Sequence, residues 1–505
     1  MSLANTAIIG AIWSVATRLG ARLVGLVGTL LITRFLSPEI MGEVGVAVVT
    51  VLTAQYVSDF AFGQYIVVKS QNNKAAIFHA FVYNIITLAI AALVLLLMAA
   101  TLGDLLGSGS MTRYLPVMVL SLAFERLTRI PESVALRELR FKLFSIVTSV
   151  TELVYVGVSL SMAAAGYGGD AIVWANVAQW GTRWLWFSLA VKRPMWFSPV
   201  AITWKETKAL FRFGIPLSIG NAAHFASSAW DRIIITGLFG HATHGVYSLG
   251  KSLSAVPADN IGDAVADVLM PSFVRMTPEE ARIAVIKACH FVAIVVSPLA
   301  AGLAVVSPTL VEALFTPEWQ AIALPLTILA AVSIIDPMGD TMTSYLKARD
   351  MPWAVMVIQL GYLAVMLGTT YLLGREFGLY GACFGVGAGM TFRALVALFV
   401  ASYLDQVSIP KMLVGITRAA LASGLMVLAV LGVRVVLTGD LDNIFLALAI
   451  EIVVGAVSYP PAAFLVARPI VSEVITWVRN RRSGDDDEDN DDEEEEASKT
   501  ELSNS

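Results

Sequence analysis

The chain has 505 residues, of which 57% are hydrophobic and 14% charged, and its mean hydropathy is +0.74. A soluble domain carries roughly 25% charged residues, so this composition excludes a soluble globular protein and indicates a membrane protein. The formal net charge of −5 hides an asymmetry, because eleven carboxylates stand in one run, 485–496, and the rest of the chain carries about +6. The composition therefore predicts a mildly basic membrane body followed by an acidic tail.

Apolar stretches long enough to cross a hydrocarbon core roughly 30 Å thick recur from the start of the chain to residue 466. Breaks at Gly, Pro and charge clusters predict an all-α polytopic membrane protein of about fourteen transmembrane helices. The predicted helices lie near 8–33, 42–66, 77–101, 113–136, 143–165, 170–191, 211–238, 244–270, 286–306, 321–345, 353–373, 379–402, 411–437 and 443–466. The first is expected to be a permanent span and not a cleaved signal peptide, because Arg18 and Arg22 interrupt its apolar run.

Basic residues are concentrated in every second predicted connection. They cluster at 69–74, 137–142, 192–208, 275–282, 347–349, 411 and 468–482, whereas the alternate loops hold only scattered ones. Because cytoplasmic loops hold the excess of Lys and Arg, both termini are predicted to be cytoplasmic, which requires an even number of spans.

A weak internal repeat relates FLSPEIMGEVGVA, residues 35–47, to LFGHATHGVYSLG, residues 238–250, at an offset of about 203 residues. Such a repeat predicts two six-helix lobes in parallel pseudo-repeat, followed by two extra helices. The predicted domains are an N-terminal six-helix lobe in 1–195, a C-terminal six-helix lobe in 196–405, helices 13 and 14 in 406–467, and a cytoplasmic acidic disordered tail in 468–505. The tail is expected to stay solvated, with docking to a basic partner as the alternative.

Charged residues inside the predicted spans are the main functional signal. A charge near the bilayer centre costs at least about 2.5 kcal/mol, so it usually faces a bundle interior or an aqueous cavity. Arg18 and Arg22 share one face of the first helix and repel each other unless an anion or a carboxylate joins them. The other such residues are Arg183, Arg393, Asp59, Glu125, Arg129, Glu152, Asp231, Asp259, Asp263, Asp267, Asp336, Asp340 and Glu451.

Some of these charges have a purely structural explanation. Glu125 and Arg129 are i,i+4 partners and are expected to form a salt bridge on one helix. Asp267 and Asp340 lie close enough to the cytoplasmic ends to be solvated. Asp231 and the adjacent Arg232 project about 100° apart on a helix, so Asp231 is predicted to pair with another helix or to carry a proton.

Motifs for catalysis are absent from the sequence. It has no phosphate-binding Gly-Lys-Ser/Thr loop, and its five histidines do not follow a metal-ligand spacing. The two cysteines, Cys289 and Cys383, fall inside predicted spans and are expected to be packing residues. The chain is therefore predicted not to be an enzyme and to use no cofactor or metal. A membrane-embedded polysaccharide polymerase or glycosyltransferase is the alternative that the short predicted outer loops disfavour.

Several runs are similar in order and spacing to those of one transporter family. The first half carries GAIWSVATRLGARLVGLVGTLLITRFLSPEIMGEVGVAVV and SDFAFGQYIVV, and the second half carries FRFGIPLSIGN, DRIIITGLFG, GVYSLGKSLSAVP and LMPSFVRM. Over roughly residues 8–405 the chain resembles the polysaccharide-exporter branch of the multidrug/oligosaccharidyl-lipid/polysaccharide exporter superfamily. Members of this branch are called oligosaccharide or O-antigen (Wzx-type) flippases.

This resemblance implies a V-shaped pair of six-helix lobes that translocates a polyprenyl-pyrophosphate-linked oligosaccharide across the bacterial inner membrane by alternating access, with ion coupling common among relatives. The implied substrate serves exopolysaccharide, capsule or O-antigen synthesis, and the expected partners are that lipid-linked oligosaccharide, a polymerase and a chain-length regulator, without nucleic acid. A small-molecule exporter or a lipid II flippase is the alternative. Because guanidinium groups fit phosphate oxygens, the substrate-binding candidates are Arg18, Arg22, Arg183 and Arg393. The ion-coupling candidates are Asp59, Asp231, Asp259, Asp263 and Asp336.

Overall fold

In the computed structural model, every regular element of the described residues is a helix. The described residues are 20, 24–69, 73–138, 140–437 and 443–468, and the side chains of 68, 69, 141, 257–272, 274, 275, 352 and 437 fall outside the description. In chain order the helices are α1 (24–32), α2 (Pro38–Ser58), α3 (Phe62–Lys69), α4 (Lys74–Leu105), α5 (Met111–Arg137), α6 (Phe141–Ala164), α7 (Asp170–Ala190), α8 (Arg193–Trp196), α9 (Trp204–Ala229), α10 (Asp231–Arg275), α11 (Pro278–Leu314), a 3₁₀ helix (Pro317–Ile322), α12 (Ala323–Val332), α13 (Asp336–Ala348), α14 (Pro352–Asp405), α15 (Ile409–Leu437) and α16 (Ile444–Val466).

Eight helical stretches of the described chain are long and apolar enough to cross a membrane. They are Pro38–Ser58, Lys74–Leu105, Lys142–Ala164, Pro278–Leu314, Pro317–Ala348, Trp353–Asp405, Ile409–Val436 and Ile444–Val466. Helices suit this setting because hydrocarbon leaves backbone groups no partner outside the segment. Helix α5 is not among the eight, since four charged residues fall between Glu125 and Glu132. The predicted all-helical membrane architecture is confirmed, whereas the count of fourteen spans stays a prediction.

Two long helices are divided at glycines with positive φ. Gly240 (φ 81°) interrupts α10, and Gly378 (φ 67°) interrupts α14. Glycine adopts this backbone conformation without the steric cost that a Cβ brings. Both breaks fall between predicted helices, at 239–243 and at 374–378, so the sequence located these two boundaries correctly.

Three predicted helices are interrupted within their predicted bounds. The predicted helix 42–66 is divided between Ser58 and Phe62, and the predicted helix 211–238 is divided because α9 ends at Ala229 and α10 begins at Asp231. The predicted helix 321–345 is divided between Val332 and Asp336. In the last two cases the new segment starts with an aspartate in its first turn. A carboxylate is favoured there, because the helix dipole and the free N–H groups of the first turn stabilise negative charge.

The two copies of the predicted repeat contact each other reciprocally. A Cβ placed on Gly42 would lie 1.8 Å from the carbonyl oxygen of His241, and one placed on Gly245 would lie 2.0 Å from that of Pro38. Under the offset of 203 residues, Pro38 corresponds to His241 and Gly42 to Gly245. A contact that maps onto itself when its partners are exchanged is typical of a two-fold relation. The start of α2 and the second part of α10 thus cross backbone to backbone at equivalent positions.

Contacts divide the chain into two units. The first unit comprises Met1–Val256, Ser307–Asp336 and Met351–Ala397, and the second comprises Pro257–Val306, Pro337–Asp350 and Leu398–Ser505. This division differs from the predicted boundaries at 195 and 405, and the predicted lobes stay a prediction. Both cysteines are buried, Cys383 in a core of the first unit with Ile235 and Tyr247, and Cys289 in the second, as expected of packing residues.

Candidate functional site

The C-terminal end of helix α2 meets a buried charge cluster on α5, within the first unit. Asp59 caps the end of α2, and its carboxylate lies 3.3 Å from Nη1 of Arg126 and 3.6 Å from Nη2 of Arg129. Arg129 also pairs with Glu125 at 2.5 Å, so the expected i,i+4 salt bridge is confirmed. The cluster holds two arginines and two carboxylates and is therefore neutral.

Arg126 ties this cluster to the backbone of α2. Its side chain is fully buried, and Nη2 donates to the carbonyl oxygen of Gln55 at 2.6 Å and to Oγ of Ser58 at 2.8 Å. The last carbonyls of a helix have no partner within the helix, so Arg126 supplies one to the end of α2. Sequence analysis missed Arg126, because only the i,i+4 spacing on α5 was considered.

Replacing Arg126 with glutamine is expected to destabilise the protein by about 3–5 kcal/mol, since it leaves buried carboxylates with one cation fewer. Thermal unfolding of the purified protein in detergent measures the effect. The matched control is Arg113→Gln on the same helix, whose side chain is 68% exposed and pairs with Asp170. An exposed ion pair contributes at most about 1 kcal/mol. Equal losses of stability in both variants would therefore contradict a stabilising role for Arg126 in the buried cluster.

Arg183 lies in an aromatic pocket of the first unit. Its guanidinium donates to Glu132 at 2.5 Å, and its Cζ lies 5.2 Å from the ring centroid of Phe144 and 5.6 Å from that of Trp180. Cation–π contacts of this kind hold a guanidinium in one orientation. This predicted substrate-binding residue therefore already has a carboxylate partner, Glu132, which the sequence did not single out.

Asp231 is buried in the first unit and pairs across the Gly240 break. Lys251 Nζ lies 2.6 Å from its Oδ2, and Tyr247 donates a hydrogen bond to the same oxygen. The prediction that Asp231 pairs with another helical segment is confirmed. The neighbouring Arg232 is half-buried, and its Nε has no hydrogen-bond partner among the described residues. Lys251 was overlooked, although a lysine inside a predicted span is itself a signal.

Asp336 and Arg393, predicted for different roles, pair with each other. Nη2 of Arg393 lies 2.5 Å from Oδ1 of Asp336 and also donates to the Asp336 carbonyl oxygen at 3.0 Å. The Tyr362 ring centroid lies 5.1 Å from the guanidinium carbon. Asp336 occupies the first turn of α13, so the break before α13 positions both its carboxylate and its carbonyl for one arginine.

The second unit has two further ion clusters. Asp405 accepts hydrogen bonds from Arg349 Nε at 2.8 Å, from Arg282 at 3.3 Å and from Tyr345. The Asp405 carboxylate raises the pKa of Arg349 above its usual value. Glu451 pairs with Arg434 at 2.7 Å. The Asp405 contacts join helix ends to one another, and the Glu451–Arg434 pair joins α16 to α15. Both clusters give the charges a structural role.

The structure brings only two of the predicted site residues into contact with each other. Asp336 and Arg393 are brought together, whereas Asp59, Asp231 and Arg183 each belong to a separate cluster. Arg18 and Arg22 lie outside the described residues, as do the side chains of Asp259, Asp263 and Asp267. Among the described residues, no group of three His, Cys, Asp or Glu side chains is arranged to hold a metal ion.

The fold places the chain in a known structural class. It superposes on the lipid II flippase MurJ in an inward closed conformation with a TM-score of 0.72, at 14% identity, over 92% of this chain and 100% of that one. An inward-facing multidrug resistance MATE family transporter of the MOP superfamily gives a TM-score of 0.62 at 14% identity, over 77% of this chain and 98% of that one. The chain is thus a multi-pass membrane protein with the fold of MOP superfamily transporters.

The sequence comparison identifies the branch. The family model described as polysaccharide biosynthesis protein matches residues 31–324, and the chain belongs to this family. It is 24% identical to the succinoglycan biosynthesis transport protein ExoT of Rhizobium meliloti over 66% of this chain and 68% of that protein. It is 23% identical to the lipopolysaccharide biosynthesis protein WzxC of Escherichia coli over 69% and 71%, respectively. The predicted membership in the polysaccharide-exporter branch is confirmed.

Proposed function

We propose that the chain is a flippase of the bacterial inner membrane for polyprenyl-pyrophosphate-linked oligosaccharide repeat units. It moves them from the cytoplasmic to the outer face by alternating access, for exopolysaccharide, capsule or O-antigen synthesis. The observation that carries this proposal is the coincidence of a polysaccharide biosynthesis family match over residues 31–324 with the fold of a lipid flippase over 92% of the chain. The similarity to a succinoglycan biosynthesis transport protein and to a lipopolysaccharide biosynthesis protein supports a polysaccharide precursor as the substrate.

The proposed topology has fourteen spans with both termini in the cytoplasm. Two six-helix lobes, 1–195 and 196–405, precede two extra helices in 406–467 and the acidic tail. The repeated segments 35–47 and 238–250 lie six predicted helices apart, which supports a parallel repeat, and the reciprocal contact of Gly42 and Gly245 supports a two-fold relation between the copies. A polysaccharide polymerase and a chain-length regulator remain the proposed protein partners.

Two of the proposed phosphate-binding arginines already have a carboxylate partner. Arg183 is paired with Glu132 and Arg393 with Asp336, so a pyrophosphate that binds either guanidinium shares it with a carboxylate or displaces that carboxylate. Arg18 and Arg22 stay in the proposal as donors to the same headgroup. Likewise, Asp59, Asp231 and Asp336 each pair with a cation, and a coupling ion at any of them competes with this cation. Asp259 and Asp263 remain candidates on sequence grounds.

The function is tested by deleting the gene and complementing the strain. The deletion is expected to abolish polymer and to leave lipid-linked oligosaccharide on the cytoplasmic face. Wild-type protein is expected to restore polymer and to remove the accumulated lipid-linked oligosaccharide. A variant with Arg18→Glu and Arg22→Glu, expressed at wild-type level, is expected to fail, because two carboxylates repel the headgroup. Lys205→Glu, a charge reversal on an exposed lysine, is the control and is expected to complement.

Three outcomes would replace the proposal. Normal polymer in the deletion strain would exclude an essential flippase. Altered drug susceptibility with unchanged polymer would indicate a small-molecule exporter. Glycosidic bond formation by the purified protein would indicate an enzyme of polymer synthesis.

A further inference from the structure

A groove of about 670 Å³ lies between helices α4 and α9 of the first unit. Its floor is formed by Tyr83 of α4 and by Thr207 and Phe211 of α9. The hydroxyls of Tyr83 and Thr207 lie 3.0 Å apart, and the rings of Tyr83 and Phe211 meet edge to face with centroids 5.1 Å apart. These contacts hold the two helices together along the floor of the groove, and the side opposite the floor is open.

One face of α9 supplies the rest of the lining. Residues 207, 211 and 215 form one i,i+4 row and residues 204, 208, 212 and 216 the adjacent row, so all of them project to the same side. The exposed apolar members are Trp204 and Ile215, whose exposed fractions are 78% and 43%. The groove therefore combines an apolar surface with the two cations of the second row, Lys208 and Arg212.

These cations have no anionic partner among the groove residues. Lys208 and Arg212 are exposed and stand one helical turn apart, about 5–6 Å between their Cβ atoms. No carboxylate lines the groove, and the nearest acid along the helix, Glu206, accepts a hydrogen bond from Asn73 at 3.1 Å. The groove thus presents a net positive charge beside an apolar channel.

The order of residues along α9 matches the layers of a bilayer surface. The helix follows a basic segment predicted to be cytoplasmic and begins with Trp204, a residue type enriched at membrane interfaces. At 1.5 Å per residue, Lys208 and Arg212 lie about 6 and 12 Å along the helix, with Ile215 deeper. Long basic side chains at this level extend towards the headgroups while their stems pack on apolar surface.

We propose that this groove binds an anionic phospholipid of the cytoplasmic leaflet, with its phosphate between Lys208 and Arg212 and an acyl chain along Phe211 and Ile215. Basic pockets between helices on the cytoplasmic side bind anionic headgroups in this way. One phosphodiester matches two exposed cations, and bulk phospholipid is by far the most concentrated amphiphile at this depth, so mass action favours it over a scarce polyprenyl diphosphate. The bound lipid bridges α4 and α9 and stabilises their packing.

The test compares the full chain in nanodiscs of phosphatidylcholine alone with nanodiscs that also contain phosphatidylglycerol. Phosphatidylglycerol is expected to raise the Tm of the wild-type protein and to be retained in native mass spectrometry. In the Lys208→Gln/Arg212→Gln variant, retention is expected to fall roughly tenfold or more and the lipid-dependent rise in Tm to disappear. Its Tm in phosphatidylcholine alone is expected to equal that of the wild type, because both side chains are exposed.

The control is Lys205→Gln, which removes an exposed lysine of the same helix that does not line the groove. It is expected to keep both the retained lipid and the rise in Tm. Unchanged retention in the double variant, or an equal loss in the control, would overturn the site. If a polyprenyl diphosphate at the same mole fraction gives a larger rise than phosphatidylglycerol, the assignment to a phospholipid is overturned.

Discussion

Gly42→Ala and Gly245→Ala are each expected to destabilise the protein and to abolish or strongly reduce transport. In both cases the new Cβ would approach a backbone carbonyl oxygen, at 1.8 and 2.0 Å respectively, and a backbone atom cannot rotate away as a side chain can. Helices α2 and α10 must therefore separate. Overpacking of this kind costs about 1–3 kcal/mol, measured here as a lower Tm and lower yield of folded protein.

Two other helical glycines provide a control of opposite sign. A Cβ on Gly157 of α6 or Gly220 of α9 would meet no atom within 4 Å. Alanine has a higher helix propensity than glycine by about 1 kcal/mol, so Gly157→Ala and Gly220→Ala are expected to be neutral or stabilising. A loss of stability in these controls as large as at Gly42 would indicate that the close crossing is not the cause.

The reciprocity of the crossing leads to a further expectation for the same experiment. Once the helices have moved apart to admit one methyl group, the second enters the space already opened. The Gly42→Ala/Gly245→Ala variant is therefore expected to lose less stability than the sum of the two single variants, as substitutions in contact commonly do. Strictly additive losses would mean that Gly42 and Gly245 pack independently and do not belong to one helix crossing.

Asp231→Asn is expected to destabilise the protein by about 3–5 kcal/mol and to impair transport. The substitution leaves the Lys251 ammonium, whose side chain is 15% exposed, without its carboxylate partner. Removing one member of a buried pair costs more than removing both, because the remaining charge stays buried and uncompensated. Thermal unfolding and complementation of the deletion strain measure the two effects.

The adjacent residue is the matched control. Arg232→Gln removes a charge at the same depth without breaking the Lys251 pair, so its effect on stability is expected to be small. The double variant Asp231→Asn/Lys251→Met is expected to recover most of the stability lost by Asp231→Asn. If Arg232→Gln is as damaging as Asp231→Asn, or if the double variant is less stable than the single one, Lys251 is not the partner that matters.

Several parts of the fold follow from local sequence alone. The apolar stretches and the low fraction of charge identify a membrane protein made of helices, because the length of a crossing is set by the bilayer. Gly240 and Gly378 mark helix ends because their conformation is local, and the Glu125–Arg129 pair follows from helical spacing. The order of the motifs between residues 8 and 405 identified the family.

Other parts depended on contacts that no local pattern records. The hydrogen bonds of Asp231 and Asp336, each with a distant cation, are known only once the helices are packed. Hydropathy shows that a charge lies inside the membrane but not which residue faces it.

By itself, the sequence determined that this is a helical membrane protein, because the length and hydropathy of a segment are local properties. The order of its motifs along the chain determined the family. The tertiary structure decided which charges are paired, because a pair such as Asp336 and Arg393 joins segments 57 residues apart. It also decided why Gly42 and Gly245 must be glycine. The reason is the same in both cases: partners at a helix crossing are chosen by the way whole helices pack.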